Sequence, residues 1–192
     1  MTKLKIAFTL AVTLAASSLA GYAQTKSVRT GVTTVNISPA FVAALGKLKV
    51  TPSPIGNSQS SGYVIDFPIV GGAFDTSDGT TEILHSGGLR LTAGSTVVDL
   101  RDFDIEATSK TPTITGLVLV DGKIVGRVAL FNLSINPSDV QTSGGFLVVI
   151  DNVGVTLTAG AASTLDSVFK TSALTGGTNI GTATVVGILG SL

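Results

Sequence analysis

Apolar and polar positions alternate with a period of two through the middle of the chain. In YVIDFPIVGG (63–72), Tyr63, Ile65, Phe67 and Ile69 fall on one face. The runs TTEILH (80–85), GLRLTA (88–93), VVDLRDFDIEA (97–107), TITGLVLVD (113–121) and KIVGRVALFNLSI (123–135) follow, and NIGTATVVGIL (179–189) is the last. Such a period marks half-buried strands, because successive side chains leave a strand on opposite faces. Turn chemistry separates the runs: Asp75 to Gly79, Ala93-Gly94-Ser95, Ser109 to Pro112, and Asp121-Gly122. Asp-Gly between two apolar runs suits a two-residue hairpin, whose central residues need positive φ. Strands recurring roughly every ten residues with hairpin connections predict an all-β fold, an antiparallel β-sandwich or flattened barrel.

Two segments follow a helical period instead. SPAFVAALGKL (38–48) offers Ser38 as N-cap, Pro39 at the first helical position and Gly46 as a stop, with Phe41, Val42 and Leu45 on one face. TAGAASTLDSVFK (158–170) sets Leu165, Val168 and Phe169 at helical spacing behind Thr158 as cap. Each follows a strand-like run, VTTVNI (32–37) and FLVVIDNVGVTL (146–157). The expectation is two short helices capping one end of the molecule, with Leu165 and Phe169 buried. PSPIGNSQSS (52–61) reads as a polar loop.

Composition narrows the function classes. Charged residues make up 12% of the chain, about half the usual share. With Lys3 and Lys5 of the leader set aside, ten cations face twelve carboxylates. No basic stripe is available to neutralise phosphates, so nucleic acid is not an expected partner. The chain has no cysteine, so neither a disulfide nor a thioether-linked lipid is available to it.

The first residues, MTKLKIAFTLAVTLAASSLAGYAQTKS, carry Lys3 and Lys5 ahead of an apolar run from Ile6 to Ala16, then small residues. This is the pattern of a secretory signal peptide, with Gly21 and Ala23 placed for cleavage before Gln24, or Ser18 and Ala20 for cleavage before Gly21. The apolar run is shorter than the roughly 20 residues a spanning helix needs. Residues 1–23 are therefore expected to be a removable leader, and 24–192 a single exported domain with no transmembrane segment.

No catalytic constellation emerges. The chain lacks a G-x-S-x-G elbow, a phosphate-binding P-loop and a dinucleotide glycine fingerprint. Its one histidine, His85, could join a Ser-His-Asp triad, but many Ser and Asp fit equally and none is singled out. The chain reads as a non-enzyme. The densest carboxylate cluster, Asp102, Asp104 and Glu106, alternates with Phe103 and Ile105. It admits a calcium site or, as the alternation favours, a solvated outer strand face. His85 shares parity with Ile83, Leu89 and Leu91, so it belongs to an apolar face. Its readings are a neutral imidazole bonded to a backbone carbonyl, or a metal or haem ligand. No second ligand lies near it in sequence, which favours the structural role.

The stretch FPIVGGAFDTSDGTTEILHSGGLRLTAGSTVVDLRDFDI (67–105) resembles the haem-transport-associated domain family HtaA. Phe74-Asp75, Gly87, Leu89-Arg90-Leu91 and Asp99-Leu100 match that family's aromatic-Asp turn, hairpin and L-D-L strand, and the helix at 38–48 takes the place of its N-terminal helix. The resemblance implies a β-sandwich-like domain exported to a bacterial cell envelope. It also implies haem iron held by a tyrosine on the N-terminal helix, supported by a histidine in the turn before the L-D-L strand. Those two positions fall at Ala44 and Gly94. The resulting expectation is a secreted, non-enzymatic binding or structural domain without a bound cofactor, facing an envelope or extracellular ligand. The alternative is a haem binder whose ligand has moved to His85 or to Tyr63, the one tyrosine beyond the leader.

Overall fold

The computed structural model describes residues 25–107 and 111–192. The expected leader (1–23) and two residues of the expected turn at 109–112 lie outside the described residues. In chain order the elements are β1 (Thr25–Ile37), α1 (Pro39–Lys47), β2 (Thr51–Ile55), β3 (Gln59–Ser61), β4 (Val64–Asp75), β5 (Thr81–His85) and β6 (Gly88–Ala93). Then come β7 (Thr96–Glu106), β8 (Thr113–Val120), β9 (Lys123–Ser134), β10 (Val140–Ser143), β11 (Leu147–Leu157), α2 (Ala159–Phe169) and β12 (Asn179–Gly190).

The sheet closes on itself. Hydrogen bonding runs β7–β5–β4–β1–β12–β11–β9–β8 and returns from β8 to β7, so eight antiparallel strands form a barrel. Closure leaves no barrel edge to pair with a stray strand. Of the two expected architectures, sandwich and flattened barrel, it is the barrel that forms. β6 and β2 extend outward from β7, while β3 pairs with β4 and β10 with β11. The two-residue period now has its cause: Ile65, Phe67 and Ile69 of β4, Ile83 of β5, Ile105 of β7 and Val155 of β11 are buried in a shared core.

Of the strands that carry a third partner, β7 is the one that sets the site. β5 and β6 lie in line along β7, β5 opposite residues 104–106 and β6 opposite residues 96–101. The line breaks at Ser86-Gly87. Gly87 sits at φ +84°, and a Cβ there would lie 2.5 Å from Ser58 Oγ, so neither the conformation nor the space admits a side chain. Across from the break β7 bulges between Arg101 and Asp104, with Asp102 at φ +50° and its N–H donating to the Gly87 carbonyl at 2.9 Å. Bulges of this kind re-aim the side chains that follow them.

Both helices begin as the sequence predicts. Ser38 Oγ accepts from the Phe41 N–H at 3.1 Å, and Thr158 Oγ1 from the Ala161 N–H at 3.0 Å. Each cap is also tied to the barrel. The Ser38 N–H donates to the Ile180 carbonyl at 2.8 Å, and the Thr158 hydroxyl to the Ala129 carbonyl at 2.8 Å. α1 thus packs on β12 and α2 on β9. Three local expectations need correction. α1 runs past Gly46 to Lys47, because the Leu48 N–H still finds the Ala44 carbonyl. Leu165 is buried but Phe169 only half-buried, as it lies in the last turn before the left-handed cap at Lys170. Residues 52–61 are not a loop: β2 pairs with β6 and β3 with β4, Pro52 and Pro54 being tolerated because β2 is an outer strand.

Candidate functional site

His85 ends β5, immediately before the break, and points into the barrel at 5% exposure. Its Nδ1 lies 3.1 Å from the Phe103 carbonyl, and its Nε2 lies 2.7 Å from the Thr33 hydroxyl. A carbonyl only accepts, so Nδ1 carries the hydrogen and Nε2 of the neutral ring accepts from Thr33. Burial pushes the imidazole pKa down to about 4, against smaller opposing contributions from the Phe103 and Ile83 backbone. At neutral pH both ring nitrogens are occupied by protein partners, and neither lone pair is free for a metal. The inward face expected for this residue, and its backbone-carbonyl partner, are both observed.

The ring borders a cavity of about 60 Å³ between Thr33, Val35, Phe67, Leu89, Phe103 and Val155 among others. Phe67 and Phe103 meet edge to face at 5.2 Å across it. Gly116 makes room for this arrangement, since a Cβ there would come within 3.0 Å of the Phe103 ring. The two polar side chains of the wall, Thr33 and His85, already bond each other, so the space offers water no partner.

A second, larger concavity of about 240 Å³ lies outside the barrel mouth. Phe41, Val42 and Leu45 of α1 form one side and Pro52 and Pro54 of β2 the other, with Ser53, Ser60 and Tyr63 also among the lining residues. Tyr63 precedes β4 rather than belonging to it, is 58% exposed, and gives its carbonyl to the Ile37 N–H at 2.8 Å. Ile37, Ile65 and Leu89 line both concavities and so form the wall between them. The two sequence candidates are therefore not brought together. His85 faces Ile69 of β4, six residues beyond Tyr63, a separation of roughly 20 Å along a strand.

Ala44 lies on α1 and Gly94 at the β6–β7 turn, with φ +58°. Neither carries a side-chain donor for iron. The carboxylate run behaves differently from its expectation as well. The bulge breaks its alternation, leaving Asp102 exposed but Asp104 buried at 8% exposure. Asp104 Oδ1 and the neighbouring Arg101 Nε have no hydrogen-bond partner. Burial, then the charges of Glu82 and Glu106, raise the Asp104 pKa above the ordinary carboxylate value. Among the described residues no three His, Cys, Asp or Glu side chains gather as a metal site, and the calcium reading has no geometric support. Toward the start of β7, Asp99 accepts from Arg90 Nε at 2.7 Å and from its Nη2 at 2.8 Å, which holds the carboxyl below the usual range.

Sequence reasoning missed Thr33, which meets His85 from 52 positions away, and it missed the groove. The alternation of Pro52 and Pro54 around Ser53 was the available signal for the outer strand that forms the groove wall.

No family model matches the chain, and no curated protein matches it in sequence. Solved structures do match its architecture. The C-terminal domain of HtaA from Corynebacterium glutamicum is similar at a TM-score of 0.67 and 15% identity, covering 86% of this chain and 99% of that one. The N-terminal domain of the same protein gives 0.62 and 14%, covering 85% and 99%. Heme binding protein HtaB from that organism gives 0.52 and 9%, covering 86% and 94%. The chain has the HtaA-type fold. No helix among the described residues is long and apolar enough to cross a membrane.

Proposed function

We propose that this protein is an exported, non-enzymatic binding domain whose ligand seat is the groove between α1, β2 and the start of β4. The single observation carrying the reading is the apolar groove itself, about 240 Å³ with Ser53, Ser60 and Tyr63 as its polar lining residues and no ionised side chain in its wall. Sites for small molecules are characteristically concave and apolar with a few placed polar groups. His85 serves the scaffold in this reading. Its partners are Thr33 and Phe103, and the space beside it is far below the several hundred Å³ that a drug-sized or larger ligand fills. The positively charged start and apolar run of residues 1–23 support export.

A second reading, haem in the same groove, is favoured by two observations. The fold neighbours include the heme binding protein HtaB, and Tyr63 is an exposed tyrosine lining the groove beside α1. Of the two relocated ligands considered from sequence, Tyr63 fits that role and His85 does not. Native mass spectrometry of protein recovered from an envelope or medium fraction tests both readings. The parent should carry a non-covalent small molecule that Phe41→Asp loses. Parent and variant both bare, or both loaded, would count against the groove. A retained mass equal to haem, lost in Tyr63→Phe, would establish the second reading.

A further inference from the structure

The groove and the barrel cavity share a wall of three aliphatic side chains, Ile37, Ile65 and Leu89, and neither concavity is lined by an ionised group. We propose that they are two ends of one apolar channel that takes a single unbranched acyl chain carrying an uncharged polar head. This rests on the groove being the ligand seat and deepens that reading.

Three features converge on it. The barrel cavity lies among buried aliphatic and aromatic side chains, its polar wall groups are self-satisfied, and it gains nothing by holding water. Together the groove and cavity reach the lower end, about 300 Å³, of the range small-molecule sites occupy. Aliphatic side chains can change rotamer to pass a chain one methylene wide, whereas a planar macrocycle would have to spread the strands. Electrostatics fix the head. A carboxylate or ammonium would sit against an unionised wall with no counter-charge, while the lining includes the hydroxyl-bearing residues Ser60 and Tyr63. The terminal methyl end then lies beside Phe67 and Val155, above the His85–Thr33 pair.

Isothermal titration with 1-monoacylglycerols from hexanoyl to dodecanoyl, below their micelle concentrations, tests the channel on the full mature chain. Affinity should rise about fourfold per methylene, the area dependence expected for apolar burial, until the channel is filled. Val155→Ile, which puts one methylene into the cavity without touching the groove, should weaken the longest chains about fourfold and leave hexanoyl binding unchanged. Dodecanoate and dodecyltrimethylammonium should bind at least tenfold more weakly than the neutral ligand. A parallel arm with vesicles bearing the same acyl groups separates a free amphiphile from a membrane lipid as the source. If hexanoyl binds and Phe41→Asp abolishes it, but affinity is flat with chain length, the channel is wrong and the groove survives. If no member binds, or Phe41→Asp changes nothing, the groove reading fails and the channel with it. Equal weakening of short and long chains by Val155→Ile would also overturn the channel.

Discussion

Replacing His85 by Phe should change the acid stability of the protein in a way fixed by the barrel interior. The folded-state pKa of His85 is depressed to about 4 from an ordinary 6.5, burial being the main cause. Above pH 6.5 the ring is neutral in both folded and unfolded chains and imposes no penalty. As pH falls from about 6.5 to about 4 the unfolded chain takes up a proton that the folded chain refuses, so stability drops. At 1.36 kcal/mol per pKa unit the loss over that window is about 3 kcal/mol. His85→Phe removes this dependence but leaves the Thr33 hydroxyl and the Phe103 carbonyl without partners, a cost of about 2–4 kcal/mol at pH 7.5. The parent should therefore be the more stable protein at pH 7.5, and its advantage should shrink to near zero by about pH 4. Thr33→Val combined with His85→Phe should recover part of the cost, since removing both partners is cheaper than stranding one. Urea unfolding followed by far-ultraviolet circular dichroism across this range gives the difference directly, with other titrating groups common to both proteins. Parallel pH profiles for parent and His85→Phe would refute a buried neutral imidazole.

Three further outcomes follow from other parts of the molecule. Asp104→Asn should stabilise the fold by about 1 kcal/mol near neutral pH, because it removes a buried charge whose Oδ1 has no partner and which lies beside Glu82 and Glu106. The folded pKa is raised, so the penalty is present above it and disappears as pH falls below the unfolded carboxylate value; the gain measured by denaturant titration should vanish with it. Leu165→Ala should cost about 2–5 kcal/mol and Phe169→Ala clearly less, the first being fully and the second half-buried; equal losses in thermal melts would contradict the packing of α2. Protein recovered from an envelope or medium fraction should begin near Gln24, and an intact Met1 found there by mass spectrometry would remove the case for a cleaved leader.

The strands were legible because each alternates against one core, and a two-residue period survives any order of strand pairing. Both helix starts were legible for a local reason: Ser38-Pro39 and Thr158 carry the cap chemistry within a few residues. What escaped depends on pairs distant in sequence. The barrel closes through β7 and β8, and nothing in either run distinguishes that from an open sandwich. The bulge at Asp102 turns a regular carboxylate alternation into one exposed and one buried aspartate, and its cause is the break at Gly87 on the neighbouring strands. His85 was placed correctly on an inward face, yet its partner Thr33 comes from β1. Tyr63 shares the strand parity of Ile65 and Phe67 in sequence, yet it lines a groove whose other walls, α1 and β2, are assembled only by the fold.

In the proposed reading the HtaA-type scaffold keeps His85 for its core and offers its groove, not its histidine, to a ligand. Haemin titrated into the parent, His85→Phe and Tyr63→Phe, with the Soret region recorded, distinguishes the two. All three proteins should give the same broad, unshifted spectrum. A sharp Soret band in the parent that is lost in His85→Phe would contradict that reading, and one lost only in Tyr63→Phe would transfer the groove to haem.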